Sequence, residues 1–313
     1  MKVGLPEYSI VIPVYNSATI VGETIRRTCS ALEAIGVPFE IILVNDASTD
    51  ASWNVIAEAA RRDPRVIAIS LLRNSGQHSA NLCGFRASQG SWVVTMDDDL
   101  QNPPEEIRKL MTMAAHGYDL VIGRFEQKQQ AAHRRLGSHV IRWLNRHVFG
   151  QERDLVLSNF RLIRRDVVDR ICAWRGPYPY VPGLCLLFSA HRANALVEHH
   201  PRSTGKSNYG AIRIIRLVAA ILFNYSSFPL RCVAAFGGLT AAGTFVLGLF
   251  YLIRRLLSQN PVPGWTTLVV LLAFFNAIML VMLSMLGEYV VRMINQLSTD
   301  NPYIVRERID HSG

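Results

Sequence analysis

Short apolar runs alternating with helix-period segments constrain this chain more than any other feature of its sequence. Ser9 to Val14, Glu40 to Val44, Arg65 to Leu71, Trp92 to Met96 and Tyr118 to Ile122 all have strand length and strand composition. The segments between them repeat apolar residues at helical spacing; after Thr19, for example, Val21, Ile25, Thr28, Leu32 and Ile35 share one helix face. Alternation of this kind calls for crossover units and a mostly parallel sheet in an α/β fold. Asn159 to Ile163 is a further strand candidate, and Leu196 to Pro201 a weaker one.

Parallel strands end on one rim, so Tyr15, Asp46, Asn74 and Asp97 to Asp99 should gather at the carboxyl edge of the sheet, where open sheets bind ligands. The Trp92 run leads straight into Asp97-Asp98-Asp99, and Pro103-Pro104 then suit the start of a helix. Carboxylates massed at a strand end repel one another unless a cation sits among them. The usual cation is a hard divalent one, Mg²⁺ or Mn²⁺, shared with substrate phosphates. The plainer alternative makes Asp99 or Asn102 a helix cap and leaves the other carboxylates in solvent. Four polar strand ends meeting at one rim favour the ligand site over the cap.

Half of the residues are hydrophobic, and the excess is concentrated after residue 210. Cys232 to Ile253 runs about 22 residues without a charge and Trp265 to Gly287 about 23, each long enough to span a bilayer. Arg202, Lys206, Arg213, Arg216 and Arg231 precede these runs, and Arg292, Arg306 and Arg308 follow them. That excess over Arg254 and Arg255 between the runs places both termini in the cytoplasm. Ile212 to Tyr225, apolar but carrying two arginines, reads as an interfacial helix. The expected organisation is therefore a globular domain at 1–210 and an interfacial segment at 211–229. Two spans within 230–290 and a cytoplasmic tail at 291–313 follow. A buried helical hairpin in a soluble core is the competing reading of the two runs.

Net charge is +9, which suits anionic partners, and arginines are dense between Arg124 and Arg175. Without an arginine-rich tail or an interleaved aromatic stripe, nucleic acid is disfavoured as that partner. The five cysteines form no CxxC pair and no zinc spacing, which implies a reduced, cytosol-facing globular part. Met1 to Tyr15 lacks a long apolar core and a cleavage site, so no signal peptide is expected.

Ser9-Ile10-Val11-Ile12-Pro13-Val14-Tyr15-Asn16, Leu43-Val44-Asn45-Asp46-Ala47-Ser48-Thr49-Asp50 and Asp97-Asp98-Asp99-Leu100-Gln101 resemble the family 2 glycosyltransferases. Arg73 to Ala80, Asp99 to Glu106, the Gly205 to Tyr209 loop and Leu286-Gly287-Glu288-Tyr289 are similar, more narrowly, to the polyprenyl-phosphate glycosyltransferases. That group includes dolichol-phosphate mannose synthase and the undecaprenyl-phosphate glucose and aminoarabinose transferases.

The resemblance implies a GT-A-type domain binding a UDP- or GDP-sugar, with Pro13, Tyr15, Asp46, Asn74, Gly76 and Asp98 about the nucleotide. Asp97, Asp99 and Gln101 would meet Mg²⁺ or Mn²⁺ and the diphosphate. Arg124, Arg135 and Ser138 match positions used for the lipid phosphate, with Arg202 and Lys206 as further candidates. The catalytic set is then Asp97, Asp99, Arg124 and Arg135. It also implies transfer with inversion onto undecaprenyl or dolichyl phosphate at the inner membrane, for cell-envelope glycan or lipid A modification, by a homo-oligomer.

Three positions depart from the family: Asn45 stands where an aspartate is usual, Ser17 where a glutamate is, and Asn208 where the loop lysine is. Asp154, before Phe160-Arg161, falls one position away from the family's acid. The sugar stays open among glucose, mannose, N-acetylhexosamine and aminoarabinose; Gln77-His78 and Asn102-Pro103 lean to the aminoarabinose and glucose branches.

An acceptor that is a phosphate monoester is already anionic at neutral pH, so a dedicated general base is dispensable. The difficulty is electrostatic, because the leaving group is an anion too. A processive polysaccharide synthase would show Gln-x-x-Arg-Trp, whereas here His139 precedes Arg142-Trp143. A membrane-tethered nucleotide-binding scaffold is the non-enzymatic alternative, motivated by Asn45 and Ser17 and opposed by the intact aspartate cluster.

Overall fold

The structure is a computed structural model that describes residues 5–125, 132–176, 178–200, 211–226, 228–257, 264–297 and 301–311. The chain divides into two compact units: Met1–Val218 together with Asp300–Gly313, and Ala219–Thr299.

The first unit is built on crossovers. Strands β1 (Tyr8–Val14), β2 (Phe39–Asn45), β3 (Val66–Leu71) and β4 (Trp92–Thr95) alternate with helices α1 (Val21–Ile35), α2 (Ser52–Arg62) and α3 (Gln77–Ala87). Next come α4 (Ile107–Ala114), β5 (Leu120–Phe125), α5 (Ala132–Phe149), β6 (Arg161–Arg164), α6 (Arg165–Ala173), α7 (Val181–Phe188) and β7 (Arg192–Val197). The eight strands form one sheet in the order β7-β5-β6-β4-β1-β2-β3-β8, where β8 is Val305–Ile309. β1 to β5 and β7 run the same way, while β6 and β8 are antiparallel to their neighbours. The mostly parallel α/β sheet expected from the alternation is therefore present.

Covering helices explain why the central strands read as continuous apolar runs rather than alternating ones. Every residue of β2 is buried, and Ile10, Ile12, Leu43 and Ile41 are wholly inaccessible. Each such side chain contributes about 1.5–3 kcal/mol by leaving water. α1 lays Val21, Ile25 and Leu32 on this core and ends at Gly36, whose φ of 81° allows its N–H to cap the last turn. α3 comes closer still: a Cβ on Gly84 would lie 2.3 Å from Cγ1 of Val11, so only glycine admits this helix-to-sheet distance.

Two expectations are corrected here. The strand looked for at 196–201 is β7, centred several residues earlier, because Arg192 to Val197 pairs with β5. The segment 291–313 is not wholly a tail, since Val305–Ile309 adds β8 to the sheet beside β3. Arg86 holds the approach to β8, donating to Asn301 Oδ1 at 2.8 Å and to the Tyr303 hydroxyl at 3.3 Å.

The second unit holds the end of α8 (Ala211–Tyr225), α9 (Phe228–Leu257) and α10 (Trp265–Leu297). α9 and α10 are 30 and 33 residues long and meet where Gly237 faces the Met282 sulfur. Phe223, Phe228, Cys232, Phe274, Ile278 and Met282 border an apolar cavity of about 700 Å³. Phe236, Leu239, Leu280 and Val281 are more than half exposed. Taken over the described residues alone, no helix is long and apolar enough to cross a membrane. The spans expected at 232–253 and 265–287 rest on the sequence.

Candidate active site

Three non-glycine residues among those described adopt a left-handed backbone: Asn16, Ala47 and Leu100, with φ of 53°, 53° and 56°. All three lie just past the carboxyl ends of β1, β2 and β4. Backbone strain of this sort costs about 1–3 kcal/mol per residue and collects where a fold holds functional groups. The loops they shape are tied to one another. Tyr15 N–H donates to Asp98 Oδ2 at 3.3 Å, Ser17 Oγ donates to the same oxygen, and Asn16 Oδ1 accepts from Thr49 N at 2.8 Å. Asp46 Oδ1 and Oδ2 accept the backbone N–H groups of Ser75 and Gly76 at 2.7 and 2.9 Å. Gln77 Nε2 then donates to Asp97 Oδ1 at 2.6 Å. Tyr15, Asp46, the loop holding Asn74 and the three aspartates are thus gathered at one edge, as the parallel sheet requires.

The aspartates have different surroundings. Burial, reinforced by the charge of Asp99, pushes the Asp97 carboxyl above its usual range; Asn159, Arg161 and Gln77 act the other way. Asp98 turns toward the β1 loop, and burial pushes its carboxyl up to about 6 against the hydrogen bonds from Ser17 and Tyr15. Its main-chain oxygen also accepts from Thr24 Oγ1 at 2.8 Å, so this residue locks β4 to α1. The left-handed turn at Leu100 brings Gln101 N–H to Asp99 Oδ1 at 3.2 Å.

Among the described residues no group of three or more His, Cys, Asp or Glu side chains could hold a metal ion by itself. Asp97 and Asp99, close enough for the charge of Asp99 to act on Asp97, are a two-carboxylate set. Mg²⁺-type sites that share the ion with substrate phosphates use one or two carboxylates, so these residues fit such a cation and not a closed protein cage.

Pro13 is partly buried within β1, Tyr15 is half exposed, and Asn74 and Gly76 are exposed on the rim. Gly76 has φ 85° and ψ 155°, a conformation almost confined to glycine, and it starts α3. Arg124 stands exposed at the end of β5, on the same edge and two strands from β4. Arg135 and Ser138 lie within α5, but their side chains are outside the described residues, as are Arg202 and Lys206 altogether. Asp154 is exposed.

Gln77, Asn159 and Arg161 were not among the residues expected from the sequence. Phe160-Arg161 gave one signal: Arg161 is a charged residue inside an apolar strand run, and it is 1% exposed.

The model for "Glycosyl transferase family 2" matches residues 9–172. The chain belongs to glycosyl transferase family 2, and within it to the polyprenyl-phosphate group. It is 36% identical over 304 residues to a protein of Pseudomonas paraeruginosa named undecaprenyl-phosphate 4-deoxy-4-formamido-L-arabinose transferase, covering 96% of this chain and 89% of that one. A Salmonella paratyphi B protein of the same name is 32% identical over 308 residues, covering 97% of this chain and 94% of that one. Among solved structures, Mycobacterium tuberculosis glucosyl-3-phosphoglycerate synthase with Mn²⁺, UDP and phosphoglyceric acid has a TM-score of 0.53. It covers 70% of this chain and 76% of that one at 17% identity, a likeness of fold alone.

Proposed function

We propose that this chain transfers 4-deoxy-4-formamido-L-arabinose, or a closely related sugar, from a nucleotide diphosphate to undecaprenyl phosphate at the cytoplasmic face of a membrane. The observation that carries the chemistry is the pair Asp97 and Asp99 at the carboxyl edge, surrounded by loops tied from four strands. The sugar and the lipid rest on relatives of that name, whose likeness runs through nearly the whole chain.

A phosphate oxygen of the lipid attacks the anomeric carbon from the face opposite the diphosphate. The new carbon–oxygen bond forms as the bond to the diphosphate breaks, and the electron pair leaves on the diphosphate with inversion. The acceptor oxygen carries no proton to remove. Asp97 and Asp99, with Gln101, would hold a divalent cation, Mg²⁺ or Mn²⁺, which would neutralise charge on the departing diphosphate. Asp46 holds Ser75 and Gly76, and through them Gln77, at the mouth of the site. Arg124 and Arg135 draw in the acceptor phosphate, for which the charged guanidinium fork is well matched.

The two apolar runs, and helices whose 30 and 33 residues span about 45 and 50 Å at 1.5 Å per residue, support two membrane crossings. The residues before and after the second unit both belong to the first, which supports an even number of crossings. Homo-oligomeric assembly through these helices belongs to the same reading.

Incubating detergent-purified protein with undecaprenyl phosphate, Mn²⁺ and a panel of UDP- and GDP-sugars, and measuring nucleotide release, tests the proposal. Release with the formamido-arabinose donor, lost without lipid and in Asp99→Ala, is expected. No release with any donor overturns it.

A further inference from the structure

The β4–β6 ladder pairs Thr95 with Arg161, and continuing this antiparallel register by two residues sets Asn159 opposite Asp97. Thr95 Oγ1 fixes that continuation by donating to Asn159 O at 2.6 Å. The Asn159 amide lies 3.4 and 3.5 Å from the two Asp97 carboxylate oxygens, so Nδ2 straddles the carboxylate.

Arg161, two residues along the same strand face, decides which way that amide points. Its Nη2 donates to Asn159 Oδ1 at 3.0 Å. A guanidinium has donors only, so the atom facing it must be the amide oxygen, and the NH₂ is forced toward Asp97. Arg161 is 1% exposed, its Nη1 rests 3.8 Å from Cys185 Sγ, and its Nε has no hydrogen-bond partner among the described residues. Keeping a positive charge in such a place is costly unless a negative charge lies in reach, and Asp97 is one on which it acts. Stability alone would favour an apolar residue here.

We propose that Asn159 and Arg161 are positioning residues, a relay that holds Asp97 in the orientation that takes the divalent cation. This rests on the glycosyltransferase reading above, since it gives Asp97 a cation to bind. Gln77 completes the grip from the other side, on Asp97 Oδ1. Outer partners of metal-binding carboxylates typically set affinity by about 10–100-fold when removed.

The test is Mn²⁺ affinity of the full chain in detergent, by paramagnetic resonance of free Mn²⁺, with UDP and in parallel GDP present. Asn159→Ala should weaken Mn²⁺ binding by about 10–100-fold. Its turnover should fall at low Mn²⁺ and recover toward the wild-type kcat as Mn²⁺ is raised, which a merely structural loss would not do. Arg161→Lys keeps the charge but loses the fork, and should weaken Mn²⁺ in the same direction by a smaller factor. Wild-type Mn²⁺ affinity in Asn159→Ala overturns the relay while leaving the enzyme reading intact. A wild-type chain that binds no Mn²⁺ with either nucleotide overturns both the relay and the metal part of that reading. Nucleotide release by the wild type is scored separately and decides the activity itself.

Discussion

The Asp46 carboxylate accepts two consecutive backbone N–H groups, Ser75 at 2.7 Å and Gly76 at 2.9 Å, across the gap between the ends of β2 and β3. Asp46 is 4% exposed, and burial raises its carboxyl above the usual range while those two donors pull it back. Asp46→Ala strips both donors of their acceptor at a buried site and should cost about 1–3 kcal/mol. Asp46→Asn keeps one acceptor oxygen and should lose less. Urea unfolding of the three proteins checks the order; an Ala variant as stable as wild type would remove Asp46 from this bracing role.

Gly84 tests how tightly α3 is seated. In an exposed helix interior, Gly→Ala gains about 1 kcal/mol. Here the new methyl would meet Val11 Cγ1 at 2.3 Å, in a strand residue with no exposure, so overpacking wins and Gly84→Ala should lose about 1–3 kcal/mol. Val11→Ala in the same chain should recover part of that loss, giving a non-additive pair. Additive losses in denaturant melts would mean the helix simply shifts.

His78 predicts the acid limb of stability. It packs edge-on against Tyr178 and Tyr180, its Nδ1 is buried with no partner among the described residues, and burial, with the charge of Arg161, lowers its pKa to about 4. The unfolded chain takes a proton near pH 6.5 that the folded chain refuses until about pH 4. The unfolded state therefore binds more protons in that window, so stability is lost as pH drops through it, by up to about 1.4 kcal/mol per pH unit. Above pH 6.5 the contribution is complete and flat. His78→Gln should flatten the slope of urea midpoints measured between pH 7.5 and 5. Parallel curves for variant and wild type would exclude His78 as the cause.

The crossover strands and the aspartate cluster were legible because their signals are local. A buried strand in a parallel sheet is a short apolar run, and Asp97 to Asp99 follow such a run directly. β8 was not legible, since Val305-Arg306-Glu307-Arg308-Ile309 carries three charges and four of its five residues stay exposed at the edge of the sheet. No apolar periodicity marks it; only the register with β3 does. Asn159 was missed for a related reason. Its relation to Asp97 is a cross-strand pairing over 62 residues, which no window along the chain can contain. Asp98 was set apart from Asp97 and Asp99 only by the resemblance, which placed it about the nucleotide; that Tyr15, Ser17 and Thr24 all bond to it was not readable along the chain.

The position of β8 also dictates an order of assembly. Synthesis runs from the amino terminus, so β3 is finished long before the last strand is available. Throughout that interval the outer edge of β3 offers unpaired backbone groups, the kind of template to which foreign strands add. Only after α9 and α10 have left the ribosome can β8 arrive and seal it. Completing the sheet therefore reports that the helices between have already been laid down, and a nascent chain stalled before Val305 keeps the edge of β3 open to foreign strands.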